Sequence, residues 1–159
     1  MRSALVILSL LLAACSPQTP TKTGTVPDLD GHFDFAALDV VNDAGKTLTF
    51  DVYLAEDFDQ HRRGLMFVRD MPETTGMLFI YEQVDIRSIW MKNTYIPLDI
   101  VFARDDGTVI NIVRDATPQT LNSNRSAEPA RYVLELNGGT TRRLAIGTNS
   151  RLMWGNDEQ

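Results

Sequence analysis

Trp90, Lys92, Asn93 and Asp99 fall within ten residues of one another, in the run Trp-Met-Lys-Asn-Thr-Tyr-Ile-Pro-Leu-Asp. Trp90 and Lys92 are two apart, so on an extended strand they share a face while Ile89 and Met91 point the other way. An indole beside an ammonium can stack on a sugar or another planar ligand while the cation meets an anion, and Asn93 adds a donor and an acceptor. Lys92 is one of only three lysines in a chain that otherwise uses arginine. Asp99 and Glu135 offer a carboxylate pair for general acid/base work if both face one cleft, and with Lys92 they make a hydrolase-like set. Plainer roles exist for each. Trp90 can pack in a corner, Lys92 and Asn93 can tie down the turn around Pro97, Asp99 can cap that turn, and Glu135 can pair with an arginine such as Arg63. The catalytic candidates are therefore Lys92, Asp99 and Glu135, and the binding candidates Trp90, Lys92, Asn93, Asp99 and Arg63.

Other chemistries find little support. Met66, Met77 and Met91 are thioethers of the kind that bind Cu(I), but methionine more often fills gaps in an apolar core. His32 and His61 are too few and too far apart for a zinc site. No Ser-His-Asp order, Gly-rich phosphate loop or CxxC pair occurs. No metal and no cofactor is expected.

The elements that must position these residues read mainly as strands. Residues 47–55 alternate, with Leu48, Phe50, Val52 and Leu54 on one side and Thr47, Thr49, Asp51 and Tyr53 on the other, the pattern of a half-buried strand. Residues 57–63 read as a short helix capped by Asp57 and stopped by Gly64. Further strands are expected at 77–81, 87–91, 100–103, 108–113, 131–136 and 151–154, with a helical turn near 142–146. Asp106-Gly107 predicts a type I′ hairpin turn, and 117–129 a polar loop. Many short strands at regular spacing predict a compact antiparallel β-sandwich or small barrel with one or two short helices.

Location is the clearest signal. Cys15, the only cysteine, follows Leu12-Ala13-Ala14 at the end of an apolar run that begins after Met1-Arg2. This arrangement resembles the lipobox of bacterial lipoproteins, and the run is too short for the ~20 apolar residues of a membrane-spanning helix. The expected organisation is a signal peptide at 1–14, lipidated Cys15 with a Pro/Thr-rich tether at 15–27, one mainly β domain at 28–155 and a polar tail at 156–159. Lipidation of Cys15 leaves no thiol for a disulfide, so the domain must fold without a covalent staple. The membrane is the expected partner through Cys15, with the domain facing the periplasm or cell envelope.

The chain has a formal charge of −6; removing 1–14 takes away Arg2 and no acidic residue, so the remainder carries −7. That balance argues against nucleic acid as a partner and against adhesion to anionic lipid. Carboxylates crowd residues 28–59 and arginines residues 114–151, which reads either as a basic ligand-facing surface or as two halves that pair or stay solvated.

Four pieces line up in order: Arg63-Gly64-Leu65-Met66; Gly76-Met77-Leu78-Phe79; Trp90-Met91-Lys92-Asn93-Thr94 with Ile96-Pro97-Leu98-Asp99; and Leu134-Glu135-Leu136 with Gly138-Gly139. Together they resemble domain of unknown function family 192 over roughly residues 48–152. The resemblance implies a compact, mainly β domain, often exported, and no established catalytic activity. Ile89 stands where an aromatic residue usually precedes the tryptophan, and Asn149-Ser150 replaces a usual Gly-Asp. The expected function is a lipid-anchored envelope protein acting as a non-catalytic binding module for a small molecule, glycan or protein. The alternatives are the hydrolase-like enzyme and a structural accessory of an envelope complex.

Overall fold

The computed structural model describes residues 26–154. The expected signal segment, Cys15, most of the tether and residues 155–159 lie outside the described residues. The elements run β1 (Asp34–Val41), β2 (Thr47–Ala55), α1 (Phe58–Arg63), β3 (Thr75–Asp85), β4 (Ser88–Ile89), β5 (Leu98–Ala103), β6 (Val109–Ala116), β7 (Asn124–Arg125), β8 (Ala130–Asn137), α2 (Thr140–Arg143) and β9 (Arg151–Met153). The fold is mainly β, as expected: a curled seven-stranded half-barrel in the order β6-β5-β8-β3-β2-β1-β9, with β4 and β7 forming a second small sheet.

One junction departs from an all-antiparallel sheet. β2 and β3 pair in parallel, Tyr53 opposite Met77 and Leu54 opposite Leu78. Parallel neighbours need a crossover, and α1 with residues 64–74 supplies it. Asp57 caps α1 through a capping box with Gln60, and Gly64 ends it at φ 46°.

The sheet buries both faces. Leu38, Val40, Phe50, Val52, Leu78, Val101, Leu134 and Leu152 fill one side. Tyr53, Met77, Phe79, Ile100, Phe102 and Val133 lie on the other, covered by Val26, Leu29 and Phe33 and by Leu65, Val68, Met71 and Met91. This second cover explains why β2 is half-buried only at its start: Thr47 and Thr49 are exposed, but Tyr53 is fully buried. Val26, which the sequence assigns to the tether, belongs to this cover. Val26 is buried and its N–H donates to the Tyr53 hydroxyl at 2.7 Å.

The edge strands meet at one end. Thr108 bridges Arg151, Val109 N–H donates to Ser150 O at 3.0 Å, and Leu152 N–H to Gly107 O at 2.9 Å. A Cβ on Gly107, whose φ is +82°, would lie 2.0 Å from Leu152 O, so this approach requires glycine. The turn there is not type I′. Gly107 alone has positive φ, while Asp106 stays outside the left-handed region and its side chain accepts from Thr108 N–H at 2.9 Å. Gly107 N–H donates to Arg104 O and Arg104 N–H to Thr108 O, which is a type I turn followed by a left-handed glycine.

Candidate functional site

Glu135 sits mid-way along β8 with its side chain on the same face as Val133, opposite Met77 on β3 and Ile100 on β5. Both neighbours are fully buried and apolar, and Glu135 itself is 3% exposed. Alternation along β8 dictates this: Leu134 and Leu136 take the other face. The expected arginine partner does not appear. No hydrogen bond or ion pair to the Glu135 carboxyl forms among the described residues, and Arg63 instead donates from Nη2 to Asp28 O at 3.0 Å. Burial pushes the Glu135 carboxyl up from its ordinary 4.5 to about 8.

Glu135 forms part of the lining of a cleft of about 220 Å³. α1 contributes Phe58, His61, Arg62 and Arg63, β3 contributes Phe79 and Tyr81, and the segment leaving β4 contributes Trp90 and Lys92. The strand expected at 87–91 ends at Ile89, because the chain turns there: Met91 N–H donates to Thr120 O and Thr94 N–H to Met91 O. The alternation still survives in outcome. Met91 is fully buried while Trp90 and Lys92 are exposed, with Lys92 Nζ 5.3 Å from the Trp90 ring centre.

The rim is cationic. Arg62, Arg63 and Lys92 line the cleft, and no ion pair among the described residues engages any of them. Arg62 lies over the Phe58 ring at 5.6 Å and Arg63 near the Phe67 ring at 5.9 Å. Arg63 Nε is buried and has no hydrogen-bond partner. The cleft thus joins Glu135, whose carboxyl makes no hydrogen bond or ion pair among the described residues, and Arg63, whose Nε is buried and unpartnered, to exposed positive charge.

Tyr81 and His61 complete the interior, and sequence reasoning missed both. His61 stacks on Tyr81 at 4.3 Å between ring centres, and its Nε2 lies 3.0 Å from Ala55 O and 3.1 Å from Ile80 O. Two carbonyl neighbours require Nε2 to carry the proton, an assignment from geometry. Tyr81 is pushed up to about 12, by burial first and the Glu135 charge second, with Arg87 opposing from 3.9 Å over its ring. The usable signal for Tyr81 is period two: Met77, Phe79 and Tyr81 occupy one face of β3.

Asp99 stands apart from this cleft. It is fully buried, and its carboxylate accepts from Asp115 N–H at 2.9 Å, Gly139 N–H at 3.1 Å, Thr141 N–H at 2.8 Å and the Thr141 hydroxyl at 2.7 Å. The structure therefore brings Lys92 and Glu135 together but leaves Asp99 tying β5 to β6 and to the start of α2. Asn93 does not line the cleft: at φ 55° it presents its carbonyl to Phe67 N–H at 2.8 Å, and its Nδ2 lies 3.9 Å from Met66 Sδ. Ser150 donates to Asp43 Oδ1 at 2.6 Å, which ties the segment before β9 to the β1–β2 turn. Of the arginines of residues 114–151, Arg131, Arg142 and Arg143 pair with Asp105, Asp115 and Glu73. Among the described residues no cluster of histidine, cysteine and carboxylate side chains is placed to hold a metal, and no helix is long and apolar enough to cross a membrane.

Fold and site define a curled, mainly β domain with a cation-rimmed cleft on its more heavily covered face. The family model of DUF192, described as "Uncharacterized ACR", matches residues 40–154, and the chain belongs to that family. A crystal structure provisionally described as a transcription regulator from Sinorhizobium meliloti 1021 is similar at 39% identity and TM-score 0.74, over 76% of this chain and 93% of that one. A protein of unknown function from Novosphingobium aromaticivorans DSM 12444 is similar at 31% identity and TM-score 0.77, over 87% of this chain and 99% of that one. No curated protein matches the chain.

Proposed function

We propose that this chain is a lipid-anchored envelope protein whose domain is a non-catalytic binding module, and that its ligand is a small molecule carrying an anionic group. The observation that carries the binding reading is Glu135: a buried carboxyl with no partner among the described residues, lining an open cleft whose rim holds Arg62, Arg63 and Lys92 without ion pairs. Desolvated polar groups cost stability unless something meets them, so such a group in a cleft supports a ligand site. The hydrolase alternative loses its second carboxylate, because four donors already occupy Asp99. The transcription-regulator description of the S. meliloti neighbour does not transfer well: this chain carries −6, and among the described residues the helices span six and four residues.

Calorimetric titration of the purified chain with pyruvate, benzoate, inorganic phosphate and galacturonate tests the site. At least one should bind, and Lys92→Ala and Glu135→Leu should each weaken it; binding by none of them ends the reading. Anchoring through Cys15 is tested separately. A Cys15→Ala variant should lose the lipid-linked membrane form, and identical processing and partition of variant and parent would defeat it.

A further inference from the structure

The cleft continues past Trp90. Ser88 and Trp90 also line a second recess, whose remaining walls are Leu121 and Ser123. Trp90 therefore forms a ridge between two recesses, and the residue is 49% exposed. On the cleft side stand Glu135, Arg63 and Lys92; on the other stand Leu121, 69% exposed, and the hydroxyls of Ser88 and Ser123, 2.5 Å apart.

A ligand held on both sides of this ridge must extend across Trp90, as a chain of linked units does. Its units must offer an apolar flat face to the indole, hydroxyls to the polar groups and negative charge to the rim. A pyranose ring stacks its C–H face on an indole, and a carboxylate on that ring reaches a cation held beside the same indole. Sugar hydroxyls both donate and accept, so they can satisfy the Glu135 carboxyl in either protonation state and also the N–H of Arg63 Nε. An apolar peptide side chain in the cleft would leave both groups desolvated and unpaired. We infer that cleft and recess are adjacent subsites for an acidic oligosaccharide, with one uronate-type unit in the cleft and the next across Trp90 against Leu121, Ser88 and Ser123. This rests on the binding reading above and adds to it the ligand class and a second subsite.

The test is calorimetric titration of the purified full chain with galacturonate, trigalacturonate, uncharged maltotriose and pentaglutamate, with inorganic phosphate and benzoate as non-sugar anions. Trigalacturonate should bind at least about tenfold tighter than galacturonate, a step of one decade in affinity, and maltotriose more weakly than trigalacturonate. Leu121→Glu, an exposed change judged for folding by its melting temperature, should abolish the trimer's advantage and leave galacturonate binding unchanged. Lys92→Ala should weaken both. Equal affinity for monomer and trimer would overturn the second subsite while leaving the binding reading intact. Binding of phosphate or benzoate but of neither uronate would overturn the sugar class alone, and binding of pentaglutamate in place of the uronates would make this a peptide site. If no anion binds, both the inference and the reading beneath it fail.

Discussion

Tyr81 and Glu135 share one desolvated corner of the cleft, and each is held toward its neutral form there. Burial alone raises Glu135 to about 8; burial, followed by the Glu135 charge, raises Tyr81 to about 12. At neutral pH the interior is thus largely uncharged, and the positive charge lies on the rim, in Arg62, Arg63 and Lys92.

This corner predicts a pH dependence of stability. Glu135 has a folded value near 8 against an ordinary value of 4.5, so between those values the folded state binds more protons than the unfolded one. Stability must therefore fall as pH rises through that window and level off above it. Glu135→Gln keeps the shape and removes the titration. Melting temperatures at pH 5, 6.5 and 8 (about 1.5 units apart, to span the window) should decline in the parent more steeply than in the variant. Parallel curves would show that Glu135 is not desolvated as described.

Asp99 carries a different load. Its carboxylate satisfies three backbone N–H groups and one hydroxyl that β6, Gly139 and α2 bury around it. Asp99→Ala strands those donors and should cost roughly 3 kcal/mol or more in urea unfolding. At a temperature where the variant remains folded, ligand affinity should be retained. A loss of affinity beyond that explained by unfolding would return Asp99 to the site.

What the sequence makes legible follows from locality. The Asp57 cap, the Gly64 stop and the β2 strand are written in neighbouring residues, and each is found where its pattern ends. The parallel β2–β3 junction is not, since pairing direction depends on a crossover whose path no local pattern encodes. The same holds at the site. Trp90, Lys92, Arg63 and Glu135 stand out by residue type and come together in the cleft. Asp99 stands out equally, yet its partners lie 16 to 42 residues away, so its saturation could not be seen from its own strand. His61 and Tyr81 escaped notice because a lone histidine and one tyrosine in an apolar strand look like packing until their stacking is seen.

The meeting of the two sheet edges at one end gives a prediction about backbone space. Gly107 lies against Leu152 O, where an added Cβ would meet a backbone atom that β9 holds in place, and its φ of +82° is itself costly for other residues. Gly107→Ala should destabilise the domain by about 2–4 kcal/mol, through steric conflict and backbone strain together. Hydrogen exchange should locate the added opening at Leu152 N–H, which donates to Gly107 O. A variant as stable as the parent would mean that the two edge strands do not meet in solution.

Lys92 and Ile100 separate function from folding. Lys92 is exposed and, among the described residues, its charge meets no carboxylate; Ile100 is fully buried beside Glu135. Lys92→Ala should leave stability within about 1 kcal/mol of the parent, since the side chain is exposed and its contact with the Trp90 ring is an exposed cation–π pair worth about 0.5–1 kcal/mol. Ile100→Ala removes packed volume from the core and should cost roughly 2–5 kcal/mol. Affinity for an anionic ligand should show the reverse order: weakened by Lys92→Ala, and in Ile100→Ala reduced only in proportion to the unfolded fraction. Urea unfolding and calorimetric titration of both variants check this. If Lys92→Ala unfolds the domain as readily as Ile100→Ala, the segment that follows β4 is a structural corner, and Lys92 has no claim on a ligand.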